Sequence, residues 1–193
     1  MRKFDLAAPM DAVWIRRYLC DGGIVACAAE GVWGLCCDPF NPHAVEAITR
    51  LKGRAVGKGY ILVSGQRRHF SNLEGLLDEK QVALLDKHWP GPTSFVFPDP
   101  ECCFPPWVAT AAQQEGQSVA LRHTNHPQMA ALSNLLASPL VSTSANQAGA
   151  QPAISEQAVV EFFGDELVIV LSAPSQPGQA STIIDLKTGE KIR

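Results

Sequence analysis

The stretch Leu51 to Val63, LKGRAVGKGYILV, joins a predicted helix to a predicted strand. An apolar helix face ends at Leu51, and the apolar run Gly59 to Val63 is typical of a strand. Three cations lie between the two elements: Lys52, Arg54 and Lys58. A helix that passes directly into a buried strand is the repeating unit of an α/β sheet, so this stretch predicts an α/β fold.

The same alternation of helices and strands continues on both sides of this stretch. Hydrophobic periodicity predicts helices over 9–20, 42–51, 71–85, 126–136 and 155–163. The helix at 71 is expected to begin at a capping box, Ser71 to Glu74. Apolar runs predict strands over 24–27, 59–63, 93–97, 118–122, 139–143, 167–171 and 181–186. Proline-rich segments at Asp99 to Trp107 and Ala173 to Gly178 are predicted to be irregular loops.

Length and composition limit the classes of protein that this chain can belong to. It has 193 residues with 46% hydrophobic content, which predicts a single domain over 1–193 with a sizeable core. A net charge of -3 disfavours a strongly basic nucleic-acid binder, although a local basic groove is compatible with it. The sequence has no apolar run of 18 residues and no apolar signal core, so we expect a cytoplasmic protein without a membrane span.

The six cysteines do not form a metal-binding pattern. None of them belongs to a C-x-x-C motif, and two of the possible pairs are sequence neighbours. We therefore predict no metal ligands and expect reduced thiols that are mostly buried, with a redox or zinc role as the alternative. The cysteines are Cys20, Cys27, Cys36, Cys37, Cys102 and Cys103.

Polar residues in the loops after strands are where an α/β sheet binds its ligands. Three candidate segments are Glu30 to Asp38, Lys52 to Lys58, and Ser142 to Asn146, which reads STSAN. Three cations and a cluster of small hydroxyl and amide groups suit a nucleoside triphosphate. Each segment also has a structural explanation, because cations oppose the dipole at a helix end and serine or asparagine often satisfies a turn.

The commonest catalytic motifs are absent from the sequence. It contains no G-x-x-x-x-G-K-[ST] loop, no G-x-G-x-x-G fingerprint, no G-x-S-x-G elbow and no H-E-x-x-H helix. The remaining possibility is electrostatic chemistry, in which cations bind phosphates and fixed donors orient the reacting groups.

Five ordered blocks of sequence resemble the threonylcarbamoyl-AMP synthase family, also called the YrdC-like family. Their order and spacing match across nearly the whole chain, which is far more specific than any one block. The blocks are Val25 to Pro39 (VACAAEGVWGLCCDP), Leu51 to Val63, Trp89 to Pro98 (WPGPTSFVFP), Ser118 to Pro127 (SVALRHTNHP) and Pro139 to Gly149 (PLVSTSANQAG).

This resemblance implies a fold and a reaction. The fold would be a twisted, mixed sheet with flanking helices and a concave face that holds the ligands. The reaction would join L-threonine, bicarbonate and ATP into L-threonylcarbamoyladenylate and release pyrophosphate, with Mg²⁺ accompanying the ATP. It would be the first step of threonylcarbamoyladenosine formation in tRNA, so a downstream tRNA threonylcarbamoyl transferase complex is an expected partner.

The resemblance also assigns site residues. Lys52, Arg54, Ser144 and Asn146 correspond to the catalytic K-x-R and S-x-N signature of the family. The residues expected at ATP are Arg54, Lys58, Ser118, Ser144 and Arg193. Arg193 is the last residue of the sequence, so the alternative is that it is frayed and contacts no ligand. The residues expected at threonine are Arg122, Ser142 and Ser181.

The chain departs from the family pattern at Ala28-Ala29-Glu30, where the family usually has Pro-Thr-Glu. Loss of one neutral hydrogen bond costs about 0.5 to 1.5 kcal/mol, so we expect weaker threonine binding rather than inactivity. The family's Arg-Pro step after K-x-R is also absent, because Ala55 follows Arg54. Two alternatives stay open: a paralogue with another acceptor, and an RNA-binding or ribosome-maturation module that contacts tRNA or double-stranded RNA.

Overall fold

The computed structural model describes residues 2–55, 57–113, 116–164, 168–171 and 181–193, over which helices are interspersed with single strands and with runs of strands. The strands are β1 (Lys3–Phe4), β2 (Ile24–Ala28), β3 (Trp33–Cys37), β4 (Ile61–Ser64), β5 (Thr93–Asp99), β6 (Thr110–Gln113), β7 (Gly116–His123), β8 (Leu140–Ser144), β9 (Val168–Leu171) and β10 (Thr182–Asp185). The helices are α1 (Pro9–Cys20), α2 (Pro42–Leu51), α3 (Ser71–Glu74), α4 (Glu79–His88), α5 (Pro127–Leu136) and α6 (Glu156–Phe163).

The strands form one mixed sheet in the order β1-β9-β2-β3-β8-β4-β7-β5-β10, with β6 paired to β7. Pairing is antiparallel in the centre, where β3 lies between β2 and β8, and β8 also pairs with β4. It is parallel between β4 and β7, between β5 and β10, and at β9. The predicted α/β class with a mixed sheet is confirmed.

Both faces of the sheet are covered, because its central strands are apolar on both sides. Every residue of β2 and β3 is buried. One apolar cluster packs α2, α4 and α6 against one face, and the other packs α1 and α5 against the opposite face. A buried strand of this kind reads as a continuous apolar run rather than as an alternating one, as in Ile24 to Ala28.

The capping residues explain where the helices begin. Helix α2 begins at Pro42 because the Asn41 side chain accepts hydrogen bonds from the backbone amides of His43 and Ala44. The predicted capping box at Ser71 was wrong. The capping box is formed seven residues later. There the Asp78 carboxylate accepts from the backbone amide of Gln81, and the Gln81 side-chain oxygen accepts from the backbone amide of Asp78. The chain is therefore divided into the one-turn helix α3 and the longer helix α4 instead of one helix over 71–85.

Three strands among the described residues were not predicted: β1, β3 and β6. Glu30 to Asp38 was interpreted as a ligand loop, yet it contains β3, which places the segment at the centre of the sheet. Strand β6 lies in a segment with no strand prediction. Of the two predicted loops, Ala173 to Gly178 lies outside the described residues, as does the first residue of the strand predicted at 167–171. The other loop folds around the buried Asp99 carboxylate, which accepts from the amides of Cys103 and Phe104.

The cysteines are free thiols, of which Cys27, Cys36 and Cys37 are buried and Cys20 and Cys102 are exposed. The prediction of mostly buried thiols therefore holds for half of them. Across the described residues, no group of three or more histidine, cysteine, aspartate and glutamate side chains is arranged to hold a metal ion. None of the helices described is both long enough and apolar enough to cross a membrane.

Candidate functional site

A cavity of about 550 Å³ opens on the face of the sheet and is the larger of two cavities described. Its walls come from β4, β5, β7, β8 and β10, from the turn between β2 and β3, and from the C-terminal residues. Its volume is in the range of small-molecule sites. Seven of the ten residues predicted for the site line it: Arg54, Ser118, Arg122, Ser142, Ser144, Ser181 and Arg193.

Strand alternation explains why residues distant in the sequence meet at this cavity. Ser142 and Ser144 are two residues apart on β8, so they share one face of the sheet. Ser118 and Arg122 are four residues apart on β7, so they also share one face of the sheet. The two strands lie on opposite sides of β4, where Ile61 is the partner of Ser142. The site is therefore a patch on a sheet rather than a loop.

Lys52 does not line the cavity but lies beneath its edge. It lies at the end of α2, as the sequence predicts, but its residue surface is only 4% exposed. Its ammonium group donates to the carbonyl oxygen of Ser144, to the carbonyl oxygen of Asn146 at 2.8 Å and to Asn146 Oδ1 at 3.3 Å. These acceptors match the three protons of an ammonium group, so Lys52 fastens β8 and the turn after it to the end of α2.

Burial, and secondarily the positive charge of Arg54, lowers the pKa of Lys52 to about 8. The three acceptor oxygens favour the charged form and oppose this shift. At neutral pH the group is therefore protonated and able to make all three bonds.

Asn146 also lies beside the cavity rather than in its lining. Its Oδ1 accepts from Ser144 Oγ at 2.5 Å, and its Nδ2 donates to the carbonyl oxygens of Gln147 at 2.9 Å and Ala150 at 2.7 Å. These bonds close the turn that follows β8. The structural explanation of this motif therefore holds for Asn146, whose amide fixes the position of the Ser144 hydroxyl.

Arg54 faces the cavity from the segment between α2 and β4. Its guanidinium carbon lies 4.9 Å from the centre of the Tyr60 ring, a cation–π distance. Its Nη2 donates to the carbonyl oxygen of Gly59 at 2.7 Å and its Nε to that of Lys58 at 3.3 Å. Lys58 itself is exposed and is not part of the described lining. Arg54 is therefore held in place before any ligand binds, whereas Lys58 extends into solvent.

Arg122 is buried at the floor of the cavity and forms an ion pair with Glu30. Its Nη2 lies 3.1 Å from Glu30 Oε2, and the two side chains are 5% and 16% exposed. Burial lowers the pKa of Arg122, and the charge of Glu30 opposes that effect. Within the described residues, the buried Nε of Arg122 has no hydrogen-bond partner. The guanidinium group therefore keeps donor capacity for an anionic ligand group.

The last residues turn back onto the sheet and close one side of the cavity. Arg193 donates from Nη2 to the carbonyl oxygen of Ser181 at 3.3 Å, and its own carbonyl oxygen accepts from the Ile183 amide at 3.0 Å. These contacts hold the exposed residue Arg193 against the start of β10. Asp185 also lines this side, but its Oδ1 accepts from the amides of Lys187 and Thr188 within its own turn.

The charges around the cavity suit a ligand with several anionic groups and one cationic or polar end. Three arginines line it, against the carboxylates of Glu30 and Asp185. Sequence reasoning placed Glu30 in a motif but assigned it no role, and it did not single out Tyr60 or Asp185. The sequence signals for Glu30 were its position in the Ala28-Ala29-Glu30 segment and its place at the start of the candidate segment Glu30 to Asp38.

Comparisons with known proteins find relatives over most of the chain. The model of the family of Sua5, YciO and YrdC proteins, described as telomere recombination, matches residues 17–193. The chain is 39% identical over 179 residues to the threonylcarbamoyl-AMP synthase of Marinobacter nauticus, covering 92% of each chain. It is 36% identical over 179 residues to that of Thiobacillus denitrificans, covering 93% of each chain.

A similar fold is found in the crystal structure of P. abyssi Sua5 complexed with L-threonine. The TM-score is 0.80 at 26% identity over 92% of this chain. The chain spans about half of that structure's length, 51%.

Proposed function

Because the chain belongs to the family of Sua5, YciO and YrdC proteins, we propose that it forms L-threonylcarbamoyladenylate from L-threonine, bicarbonate and ATP with release of pyrophosphate. It is an enzyme of the nucleotidyltransferase type, as its curated relatives are. The observation that carries the proposal is the convergence of seven predicted substrate contacts, from five segments of the chain, on one cavity.

The cavity offers different groups to the two larger substrates. At the nucleotide end, Arg54 and Arg193 supply positive charge and the Ser118 hydroxyl supplies a donor, whereas Ser144 directs its proton to Asn146 Oδ1 and presents its lone pairs to the cavity. At the threonine end, Arg122 meets the amino-acid carboxylate, with Ser142 and Ser181 beside it. Lys58 extends from the same loop as Arg54, where its flexible side chain reaches the phosphates when ATP binds.

The residues act by binding and orientation. The threonine amine attacks bicarbonate with loss of water, or carbon dioxide with loss of a proton to solvent, which gives a carbamate. A carbamate oxygen then attacks the α-phosphorus of ATP, with pyrophosphate as the leaving group. No residue of the chain forms a covalent bond in this scheme. Holding the reactants in the right geometry contributes up to ~7 to 11 kcal/mol in favourable cases, and fixed cations stabilise the charge that develops on the phosphates.

Mg²⁺ is proposed to arrive with ATP rather than to occupy a site of its own. The described residues do not provide a cluster of three His, Cys, Asp or Glu side chains for a resident metal. Mg²⁺ prefers oxygen ligands. The two carboxylates that line the cavity, Glu30 and Asp185, both already make contacts within the protein. The ion would neutralise phosphate charge, and it would be held chiefly by the triphosphate itself.

The proposal includes a place in a reaction sequence. A cytoplasmic tRNA threonylcarbamoyl transferase complex would consume the adenylate, because a mixed anhydride of this kind must be transferred before water hydrolyses it. Direct contact with tRNA is not required for the reaction proposed here.

The test is pyrophosphate release from ATP by the purified chain in bicarbonate buffer, with and without L-threonine. Serine serves as the comparison acceptor. We expect release that depends on threonine and on bicarbonate. Binding of ATP without threonine-dependent release would contradict the proposal and would favour a paralogue with another acceptor or an RNA-binding role.

Ala29→Thr is expected to lower the threonine concentration needed for half-maximal rate. Ala29 lines the cavity and lies close to Ser142, with Gly34 between them. A Cβ added at Gly34 would be 3.9 Å from the Ala29 methyl group and 3.8 Å from Ser142 Oγ. A hydroxyl at position 29 would therefore face the proposed threonine end. One added neutral hydrogen bond corresponds to about 3- to 10-fold. Ala29→Val, similar in size but without the hydroxyl, is the control, and equal effects of the two changes would contradict the prediction.

A further inference from the structure

Arg122 is connected to the N-terminus of α5 through two side chains, Thr124 and Glu30. The Thr124 hydroxyl donates to Glu30 Oε1 at 2.6 Å, and Glu30 Oε2 forms an ion pair with Arg122 Nη2 at 3.1 Å that lacks hydrogen-bond geometry. The Thr124 hydroxyl in turn accepts from the backbone amide of His126 at 3.0 Å. We call the three side chains Thr124, Glu30 and Arg122 the relay.

The direction of each contact in the relay is fixed by the chemistry of its groups. A hydroxyl has one proton, and Thr124 accepts the amide proton of His126, so its own proton is directed to Glu30. The backbone of Thr124 is anchored as well, because its amide donates to the carbonyl oxygen of Ser64 at 2.9 Å. Glu30 is therefore held by a rigid neighbour at one oxygen and presents the other oxygen to Arg122.

Arg122 depends on this arrangement for its orientation. The one ion pair described for it joins Nη2 to Glu30 Oε2, and its Nε is buried without a hydrogen-bond partner among the described residues. A long side chain that is held at one point still has rotamer freedom, which a ligand must otherwise remove on binding. A Glu30 carboxylate that is fixed by Thr124 would hold the Arg122 guanidinium group in one orientation before a ligand binds.

We propose that Thr124 and Glu30 are positioning residues that orient Arg122 toward the carboxylate of the amino-acid substrate. This inference rests on the proposed function for the identity of that substrate. Thr124 is 2% exposed and lies behind Glu30, outside the described lining of the cavity. Any effect of Thr124 on the substrate must therefore pass through Glu30 and Arg122.

The test compares Thr124→Val with Thr124→Ser. Valine keeps the branched shape and removes the hydroxyl, whereas serine keeps the hydroxyl. We expect Thr124→Val to raise the KM for threonine by about 10-fold or more, since a hydrogen bond to a charged group is lost, while the KM for ATP changes little. Thr124→Ser should stay within about 3-fold of the wild type. Equal values for the two variants, or equal rises in both KM values, would overturn the proposal.

A second readout does not depend on the substrate. In the wild type without ligands, we expect the Arg122 Nε proton, identified by its absence in Arg122→Lys, to exchange slowly with solvent in NMR spectra. Exchange should be about 10-fold faster in Thr124→Val and unchanged in Thr124→Ser. If the wild type does not use threonine, the proposed function fails, but this measurement still decides whether the relay orients Arg122.

Glu30→Gln provides a third variant if Thr124→Val folds poorly. The amide keeps the size of the side chain and one acceptor oxygen but removes the charge that faces Arg122. The combined Glu30→Gln and Thr124→Val protein should raise the threonine KM little more than Glu30→Gln alone, because both changes interrupt one chain of contacts. Effects that multiply fully would mean that Thr124 acts independently of Glu30, which contradicts the relay.

Discussion

Lys52→Met is expected to lower turnover by at least about 100-fold, because a misplacement of about 1 Å at a reacting group has an effect of that size. The ammonium group donates to the carbonyl oxygens of Ser144 and Asn146 and to the Asn146 side chain. Methionine fills a similar volume but removes all three donated bonds, which leaves the Asn146 carbonyl oxygen without a described partner and releases the turn that positions the Ser144 hydroxyl. The measurement is threonine-dependent pyrophosphate release at saturating ATP.

The same change should destabilise the fold. A buried polar group left without a partner costs about 1 to 3 kcal/mol, so we expect the free energy of unfolding to fall by at least about 2 kcal/mol. Denaturant unfolding measures this, and turnover should be assayed well below the melting temperature. Lys80→Met is the matched control, since Lys80 is exposed on α4. Unchanged turnover in Lys52→Met would contradict the role of Lys52 in positioning Ser144.

Arg122→Ala is expected to destabilise the protein by about 3 to 5 kcal/mol, because it leaves the Glu30 carboxylate partly buried without its counter-charge. It should also abolish threonine-dependent pyrophosphate release. The two effects are separable, because only the first comes from Glu30. Thermal or denaturant unfolding and the pyrophosphate assay measure them independently.

The double change Arg122→Ala with Glu30→Gln makes that separation. Removal of both charges should restore most of the stability, since no unpaired charge remains. Turnover should stay abolished, because the donor for the substrate carboxylate is still missing. Recovery of turnover in the double variant would show that Arg122 serves only to neutralise Glu30.

Local signals in the sequence were sufficient for the α/β class and for most elements. Helix α1 occupies the predicted residues 9–20, and α2 occupies the predicted residues 42–51. Such features depend on neighbours within a few residues, which an amino-acid sequence displays directly. The family assignment from ordered motifs is likewise confirmed. The roles of the site residues stay predictions.

Local signals in the sequence did not predict strand β3. Trp33 to Cys37 contains a glycine and two cysteines, and its strand character comes from pairing with β2 on one side and β8 on the other. Those partners lie near in sequence on one side but more than a hundred residues away on the other. Residue preferences in strands depend strongly on such neighbours, so the segment was interpreted as a loop.

The sequence by itself determined the fold class, the family and the set of polar groups available for chemistry. Only the tertiary structure decided which of these groups face the cavity and which support it. Lys52 is in the same short motif as Arg54, yet burial directs its protons to the Ser144–Asn146 turn. Thr124 meets Glu30 across 94 positions of sequence because strand order brings their segments together. Long-range pairing fixes these contacts, and hydrophobic periodicity carries no record of it.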